Sequence, residues 1–560
     1  MRLNLTAFAG AGLLMFGSAS CRKAGDGSVG VQGDDGDRRA PGAMGLRLSH
    51  WLGNDVPPPA ASAKADLKPA LPVTAVLLGP LVQLNGEGRA LQATRANEPS
   101  VFAKAAKTWI YERPSEDSPH IGYLRAGAAV SISPDIAGKS GCPGGFHAIV
   151  PRGFVCVGTS ATLDANDPVV VALSPRVPES RRKLPYVYGT VRKPGPVYAR
   201  LPTESEIARV EPGNDRRMER WLSADGEAGA SYAQFVWLGH PGEAPDPRAV
   251  WQERRTEGVP GFLAGGGTAP NLHQKPRDPD QLVVGHTRAK MGFSFSDTFL
   301  WKGRRYGITP DLEILPTDRL RPIQGSDFHG VELAGGRVTL PLALVRQPGA
   351  RYVVYERAGN RLIEGEVAPY REAVQLTGKQ QFFHDVLHYE TKDGKWLSDR
   401  DASRLDPAKK QPGWAVKGER WIDVNITKQS LVLYQGTTPV YATLISSGEA
   451  GLGDSEKTTA TKRGIFRVHS KHVATTMSSD EVGEEFELRD VPYVQYFDDD
   501  GHAIHGAYWH DKFGIPKSHG CINLAPEDAR RIFYFTDPPV PDGWHGASDA
   551  LTGTVIFIHP

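Results

Sequence analysis

Cysteine is scarce. Only four, Cys21, Cys142, Cys156 and Cys521, occur in 560 residues, too sparse for a cysteine-ligated zinc site. An excess of either charge is also missing, since 65 basic residues face 64 acidic ones for a net charge of +1. That balance suggests neither a nucleic-acid nor a polybasic membrane partner. The apolar run over residues 3–16 is too short and too interrupted by glycine for a transmembrane helix. No HExxH-type spacing exists for a zinc peptidase. Residues 167–333 hold no nucleotide-binding loop, no metal-ligand spacing and no second nucleophile.

What is present points to strands and turns. With 62 glycines and 44 prolines, long helices are disfavoured, and the length suggests about three or four domains. The expected fold is mainly β and multidomain.

One stretch concentrates chemistry. Residues 505–523 read HGAYWHDKFGIPKSHGCIN and set Cys521 among small and polar neighbours, with His519 two positions before it and His505 sixteen before it. A thiol near its ordinary pKa of about 8.5 is mostly protonated at neutral pH, and a nearby imidazole can take that proton. Gly520 lets the backbone approach a substrate carbonyl, so amides around Cys521 can form an oxyanion site, with Ser518 and Asn523 bracing the loop. Residue spacing alone leaves both His505 and His519 open as the base.

These residues resemble the catalytic signature of the L,D-transpeptidase (YkuD-type) family: His505-Gly506, about a dozen residues, then Ser518-His519-Gly520-Cys521-Ile522-Asn523. The resemblance implies a bacterial cell-wall enzyme acting on peptidoglycan stem peptides. Cys521 would attack the bond between the diamino acid in position three and D-alanine, then pass the acyl group to an amine. It also implies His505 as base, with His519, Gly520 and Cys521 framing the oxyanion site. Trp509 and Tyr508 are expected at the substrate cleft with His510. No cofactor and no metal are implied. The acceptor stays open between a second stem peptide, a wall-attached protein and water. The alternatives are a hydrolase of the same bond and a non-enzymatic peptidoglycan-binding lipoprotein.

The resemblance covers about a quarter of the chain. Near residues 461–464 the family usually has Thr-Pro-x-Gly, and here Lys462 replaces the proline. Residues 421–426 alternate, placing Ile422, Val424 and Ile426 on one face of a strand. After Cys521, Pro526, Glu527 and Asp528 open a short helix, and Ala529, Ile532, Phe533 and Thr536 follow at helical spacing. Residues 553–559 read as a buried strand. Asp498, Asp499 and Asp500 with Gly501 read as a hairpin turn, or as an attractor for an acceptor amine. His469 and His472 are expected at the surface or in turns.

Upstream, residues 1–21 resemble a secretory signal ending in a lipobox-like Cys21, with Ser18 where an aliphatic residue is usual. Export follows, to a periplasmic site with a lipid anchor in a membrane. Ordinary cleavage near Ser20 is the other outcome. Residues 22–75 read as a flexible tether, and residues 76–165 as an SH3-like small barrel in which Cys142 and Cys156 either pair or stay as thiols. Residues 166–338 form a β-rich middle region of unknown role, with a helical stretch near residues 215–219 and an exposed loop over residues 260–276. Residues 339–410 read as a second SH3-like barrel, Tyr355-Glu356-Arg357 echoing Tyr111-Glu112-Arg113. A linker over residues 411–419 leads to the catalytic domain, residues 420–560, a transpeptidase-type β-sandwich with short helices.

Overall fold

The computed structural model describes residues 22–23 and 99–560, apart from residues 224–227, 229–230, 232–234, 236–245, 273–277, 279, 480–484 and 550. The signal segment with Cys21 and nearly all of the expected tether lie outside the described residues. The exception is Arg22–Lys23. It pairs antiparallel with Ser478 and Met477 instead of standing free in solvent.

The alternation over residues 421–426 becomes the strand Arg420–Asn425, which pairs antiparallel with Ser430–Gln435. Ile422, Val424 and Ile426 enter one core with Leu431, Leu433, Ile504, Ile522 and Ile532. Trp421 enters a second core on the opposite face, its ring stacked 4.3 Å from that of Tyr434. Period-two geometry sorts these side chains, and burial of both sets holds the sheet between two cores. The sheet has six strands, in the order Val331–Glu332, Thr438–Leu444, Ser430–Gln435, Arg420–Asn425, Val555–His559, Gly464–Arg467. Its outermost strand, Val331–Glu332, comes from upstream of the expected catalytic domain.

A second layer covers the first core. Its spine is the long hairpin Ser470–Ser479 with Phe486–Tyr496, joined by Ala503–Gly506 and, parallel to that, Ile522–Leu524. Helix Pro526–Phe535 carries proline at its start and Glu527 and Asp528 in its first turn, and it buries Ala529, Ile532 and Phe533. Asp528 is fully buried. It accepts from Tyr441 and Thr443 hydroxyls and from the Gly330 amide, and burial raises its pKa. At the helix C-terminus the buried Lys471 Nζ, its pKa pulled down to about 7 by burial, donates to the carbonyls of Phe533 and Thr536.

The upstream regions are not spacers strung before this sandwich; they extend its spine. On one side, Gly546–Ser548 pairs with Ser470–Ser479 and also with His120–Leu124 of a small sheet spanning residues 100–162. Cys142 and Cys156 of that sheet form a disulfide. On the other side, Met291–Phe295 runs parallel to Phe486–Tyr496, with Met291 opposite Glu487 and Gly292 opposite Leu488. Asp490 of the hairpin is ion-paired to Arg125 and accepts from the Ser294 hydroxyl, while its carbonyl accepts from Tyr188 at 2.7 Å. Three parts of the chain therefore meet at one residue of this strand.

The middle region also carries more helix than its composition suggests: Pro168–Leu173, Glu204–Val210, Asn214–Ser223 and Pro247–Gln252. The expected loop over residues 260–276 contains a 3-10 turn, Gly261–Gly266, and buries Leu263 and Ala269. Here Arg304, 2% exposed, bonds Glu211 and Asp318 at 2.7 Å each, a buried network in which every charge has partners. A separate seven-stranded sheet spans residues 342–405 and touches the sandwich through Arg346, which donates to the Gly514 carbonyl at 2.9 Å.

Candidate active site

Ala503–Gly506 and Ile522–Leu524 lie side by side in parallel, with His505 opposite Asn523 and Ile504 opposite Ile522. Paired residues on neighbouring strands project to the same face, and successive residues to opposite faces. Ile504 and Ile522 point into the sandwich core, so His505, Asn523 and, two residues before it, Cys521 belong to the other face. There Cys521 is a thiol in no disulfide, buried with Tyr186, Tyr188, Met477, Leu488 and Tyr508.

The loop before Cys521 is tied on both sides. Ser446 and Asn523 exchange backbone hydrogen bonds at 2.9 Å, and the Ser518 amide donates to the Ser447 carbonyl at 3.0 Å. The Ser518 hydroxyl bonds back to the Cys521 carbonyl and accepts from the Gly520 amide at 3.2 Å. Gly520 has φ +118, a conformation that side chains rarely adopt, and the His502 ring lies directly under its α-carbon. His502 in turn bonds Asp498, Nδ1 to Oδ2 at 2.7 Å.

His505 is 2% exposed and donates from Nδ1 to the Gly506 carbonyl at 3.3 Å, which leaves the lone pair on Nε2. Burial pushes its pKa down to about 4, the Gly506 contact opposing that shift, so the ring is neutral at pH 7. His510 is pushed down to about 3 by burial and by Lys517, His505 and Lys512. Its Nδ1 accepts from the Lys512 amide at 3.2 Å, so its proton sits on Nε2, 3.0 Å from the Asn523 carboxamide. The atom of that carboxamide facing His510 is Nδ2, and Oδ1 is buried without a partner; turning the carboxamide over would pair Oδ1 with the Nε2 proton.

A pocket opens over this face, lined by His505, Trp509, Lys517, Ser518, His519 and Asn523 on the sandwich side. Met477, Phe486 and Leu488 of the long hairpin form an apolar wall, and Lys290 of the middle region reaches the rim. Residues 419–558 match the YkuD family, the L,D-transpeptidase catalytic domain. The match thus begins just before strand Arg420–Asn425 and ends within the last strand, Val555–His559. Over 124 residues the chain is 31% identical to YciB of Bacillus subtilis (strain 168), named there as a candidate L,D-transpeptidase, covering 20% of this chain and 59% of that protein. An Enterococcus faecium L,D-transpeptidase structure is 23% identical, with TM-score 0.20, over 25% of this chain and 50% of that one. A Stackebrandtia nassauensis L,D-transpeptidase structure is 22% identical, with TM-score 0.18, over 28% and 58%. The chain thus spans between half and three fifths of the length of these relatives.

Of the residues singled out from sequence, His505, Trp509, Ser518, His519 and Asn523 line the pocket, whereas Cys521, Gly520 and His510 are not part of that lining. Tyr508, expected at the cleft, is 1% exposed and stacks 4.2 Å from Tyr188 of the middle region, so it forms the floor of the domain junction and does not line the pocket. Gly506 sits in the strand as the acceptor for His505. His519 is half-buried at the pocket wall, its ring 5.6 Å from that of Phe486. His472, expected in a turn or at the surface, is buried in the strand Ser470–Ser479 with Nδ1 3.1 Å from the Tyr123 hydroxyl.

Asp498, Asp500 and His502 bring ligand-type atoms within 4.8 Å of one another, but the Lys462 ammonium pairs with both carboxylates. The residue standing in place of the usual proline meets the charge of this turn. The apolar wall and Lys290 were not foreseen. Phe486 and Leu488 follow an alternating pattern, FELRDV, that identifies a strand without identifying what it faces.

Proposed function

We propose that this chain is an L,D-transpeptidase acting on peptidoglycan stem peptides through a Cys521 acyl-enzyme. The observation that carries the reading is the shared face of the two parallel strands, which sets the Cys521 thiol, in no disulfide, on the same side as a neutral imidazole of fixed tautomer that lines the pocket. His505 Nε2 takes the Cys521 proton as sulfur attacks the carbonyl carbon of the third stem residue, forming a C–S bond and an oxyanion. The C–N bond to D-alanine then breaks, and the imidazolium returns its proton to the leaving amine. An acceptor amine attacks the thioester, forms the new amide and releases Cys521.

Tight burial of Cys521 and the apolar wall keep water from the thioester, which favours transfer over hydrolysis. Export to an oxidising compartment, with Cys21 carrying a lipid anchor, belongs to the same reading, and the Cys142–Cys156 disulfide supports it. The sheets spanning residues 100–162 and 342–405 would then serve as SH3-like modules that hold the wall or position the YkuD-type domain.

The test is mass spectrometry of products after incubation of the chain with tetrapeptide muropeptides, beside Cys521→Ala and chelator-treated samples. Crosslinked dimers with loss of D-alanine, absent in the variant and indifferent to chelator, are expected. Free tripeptide alone would mark a hydrolase. Undiminished product from Cys521→Ala would refute the cysteine mechanism.

A further inference from the structure

The turn that delivers His505 also supports the nucleophile loop. Residues 497–502 join strand Phe486–Tyr496 to strand Ala503–Gly506, and the Phe497 amide closes the turn on the His502 carbonyl at 3.1 Å. This turn sets the His502 ring, 2% exposed, directly beneath Gly520. A Cβ on Gly520 would lie 2.9 Å from both Cδ2 and Nε2 of that ring. Contact this close lets the ring set the height of the loop, because tightly packed groups have little room to move.

The ring is itself held. Asp498 accepts from the His502 amide at 2.8 Å and from its Nδ1 at 2.7 Å, and the Asp498 carbonyl accepts from His469 Nε2 at 3.0 Å. Lys462 lies 3.3 Å from the same carboxylate and also pairs with Asp500. Burial alone would raise the Asp498 pKa, but the bonds from His502 and the Lys462 charge overcome it and hold the group below the usual carboxylate range. Asp498 therefore stays charged, with both oxygens free to accept.

The turn that carries Lys462 reaches the nucleophile loop by another route as well. The Thr461 hydroxyl accepts from the Gly448 amide at 2.9 Å, and Gly448 bridges to Ser518, whose carbonyl accepts from the Glu449 amide at 2.9 Å. The Ala460 carbonyl lies 3.7 Å from where a Gly520 Cβ would be. Residues 460–462 thus brace the loop at its Ser518 end and, through Asp498 and His502, at its Gly520 end. A proline at position 462 could not pair with Asp498, so the second brace depends on the lysine of this chain.

Resting on the transpeptidase reading, we propose that His502 is a positioning residue for the nucleophile loop, fixed by Asp498 and, through Asp498, by Lys462. None of the three lines the pocket. Their task is to hold the Gly520 backbone at the height from which the loop amides meet the oxyanion, where a displacement of about 1 Å can cost about 100-fold in rate. Substrate binding is left to the pocket lining, so the effect falls on kcat and not on KM.

The experiment uses the full chain, with tetrapeptide turnover as one readout and hydrogen exchange of the segment over residues 518–523 as the other. Asp498→Asn should lower kcat about tenfold and leave KM within about twofold. Lys462→Met should lower kcat about fivefold, and Lys462→Arg should restore most of it, a rescue that follows charge. The double variant Asp498→Asn with Lys462→Met should be no slower than Asp498→Asn alone, because Lys462 acts through Asp498. Loop exchange should speed up in the slow variants and not in Lys462→Arg. A thermal melt checks that each is folded at the assay temperature, and the partly exposed Lys462 carries the test if Asp498→Asn does not fold. Unchanged kcat in all variants, or a rise in KM in place of the fall in kcat, would overturn the proposal. Faster loop exchange in the variants with no turnover from the unaltered chain would sink the transpeptidase reading alone. Turnover from the unaltered chain with kcat and loop exchange untouched by the variants would sink this proposal alone, and absence of both effects would sink the two together.

Discussion

The α-carbon of Gly520 rests on the imidazole of His502, so close that a methyl group there would lie 2.9 Å from two ring atoms. His502 cannot retreat, because its backbone amide and its Nδ1 are both bonded to Asp498, at 2.8 and 2.7 Å. Gly520→Ala is therefore expected to push the amides of the loop away from the reacting carbonyl. Turnover of tetrapeptide should fall about 100-fold or more, the scale of losing an oxyanion donor. Steady-state kinetics beside a thermal melt would check this. A variant with full activity would show that the loop amides do not touch the oxyanion.

The pH profile follows from His505. Burial holds its pKa near 4, and only the neutral ring can accept the thiol proton, so kcat/KM should fall as pH drops through about 4. An acid limb centred near the ordinary histidine value of about 6.5 would point to an exposed ring as base instead. Stability moves in the same direction. The unfolded chain takes up the proton near 6.5 and the folded chain resists it down to about 4, so this contribution is lost as pH falls across that window.

Replacing Gly292 tests the junction with the middle region. Gly292→Val should overpack the contact with Tyr508, costing about 1–3 kcal/mol and loosening the hairpin wall. Denaturant unfolding measures the cost. Tetrapeptide KM should rise with it, and an unchanged KM would separate the junction from the pocket.

Lys471→Met keeps the buried stem but removes the donor to the Phe533 and Thr536 carbonyls. The Thr536 carbonyl then loses its donor and the Phe533 carbonyl keeps only the Thr536 hydroxyl at 3.3 Å, at an expected cost of about 2 kcal/mol in unfolding free energy. Less than about 0.5 kcal/mol would mean that other donors reach those carbonyls.

The paired Cys142→Ser and Cys156→Ser variant should lose about 3 kcal/mol, the value for closing a loop of this length, while retaining tetrapeptide turnover at temperatures where it stays folded. Parallel unfolding curves with and without reductant provide the measurement.

Local pattern and long-range docking differ in how far they can be read. Ile422, Val424 and Ile426 on one strand face, and Ala529, Ile532 and Phe533 on one helix face, were legible because burial of a single element repeats with its own period. The cluster around Cys521 was legible because the chemistry needs those residue types within a short span. The pairing of Met291 with Glu487 was not, since a strand's sequence records that it is buried and not which edge it joins. The same gap hid the pocket wall, the contact between His472 and Tyr123, and the burial of Tyr508 against Tyr188.

The short strand Gly546–Ser548 seals the edge of His120–Leu124 while also completing the spine at Ser470–Ser479. During synthesis, then, the edge of a sheet made early stays uncovered until more than 400 further residues have emerged. Such an edge is a template for wrong partners, so the nascent chain has a long interval of exposure that a holding chaperone would shorten.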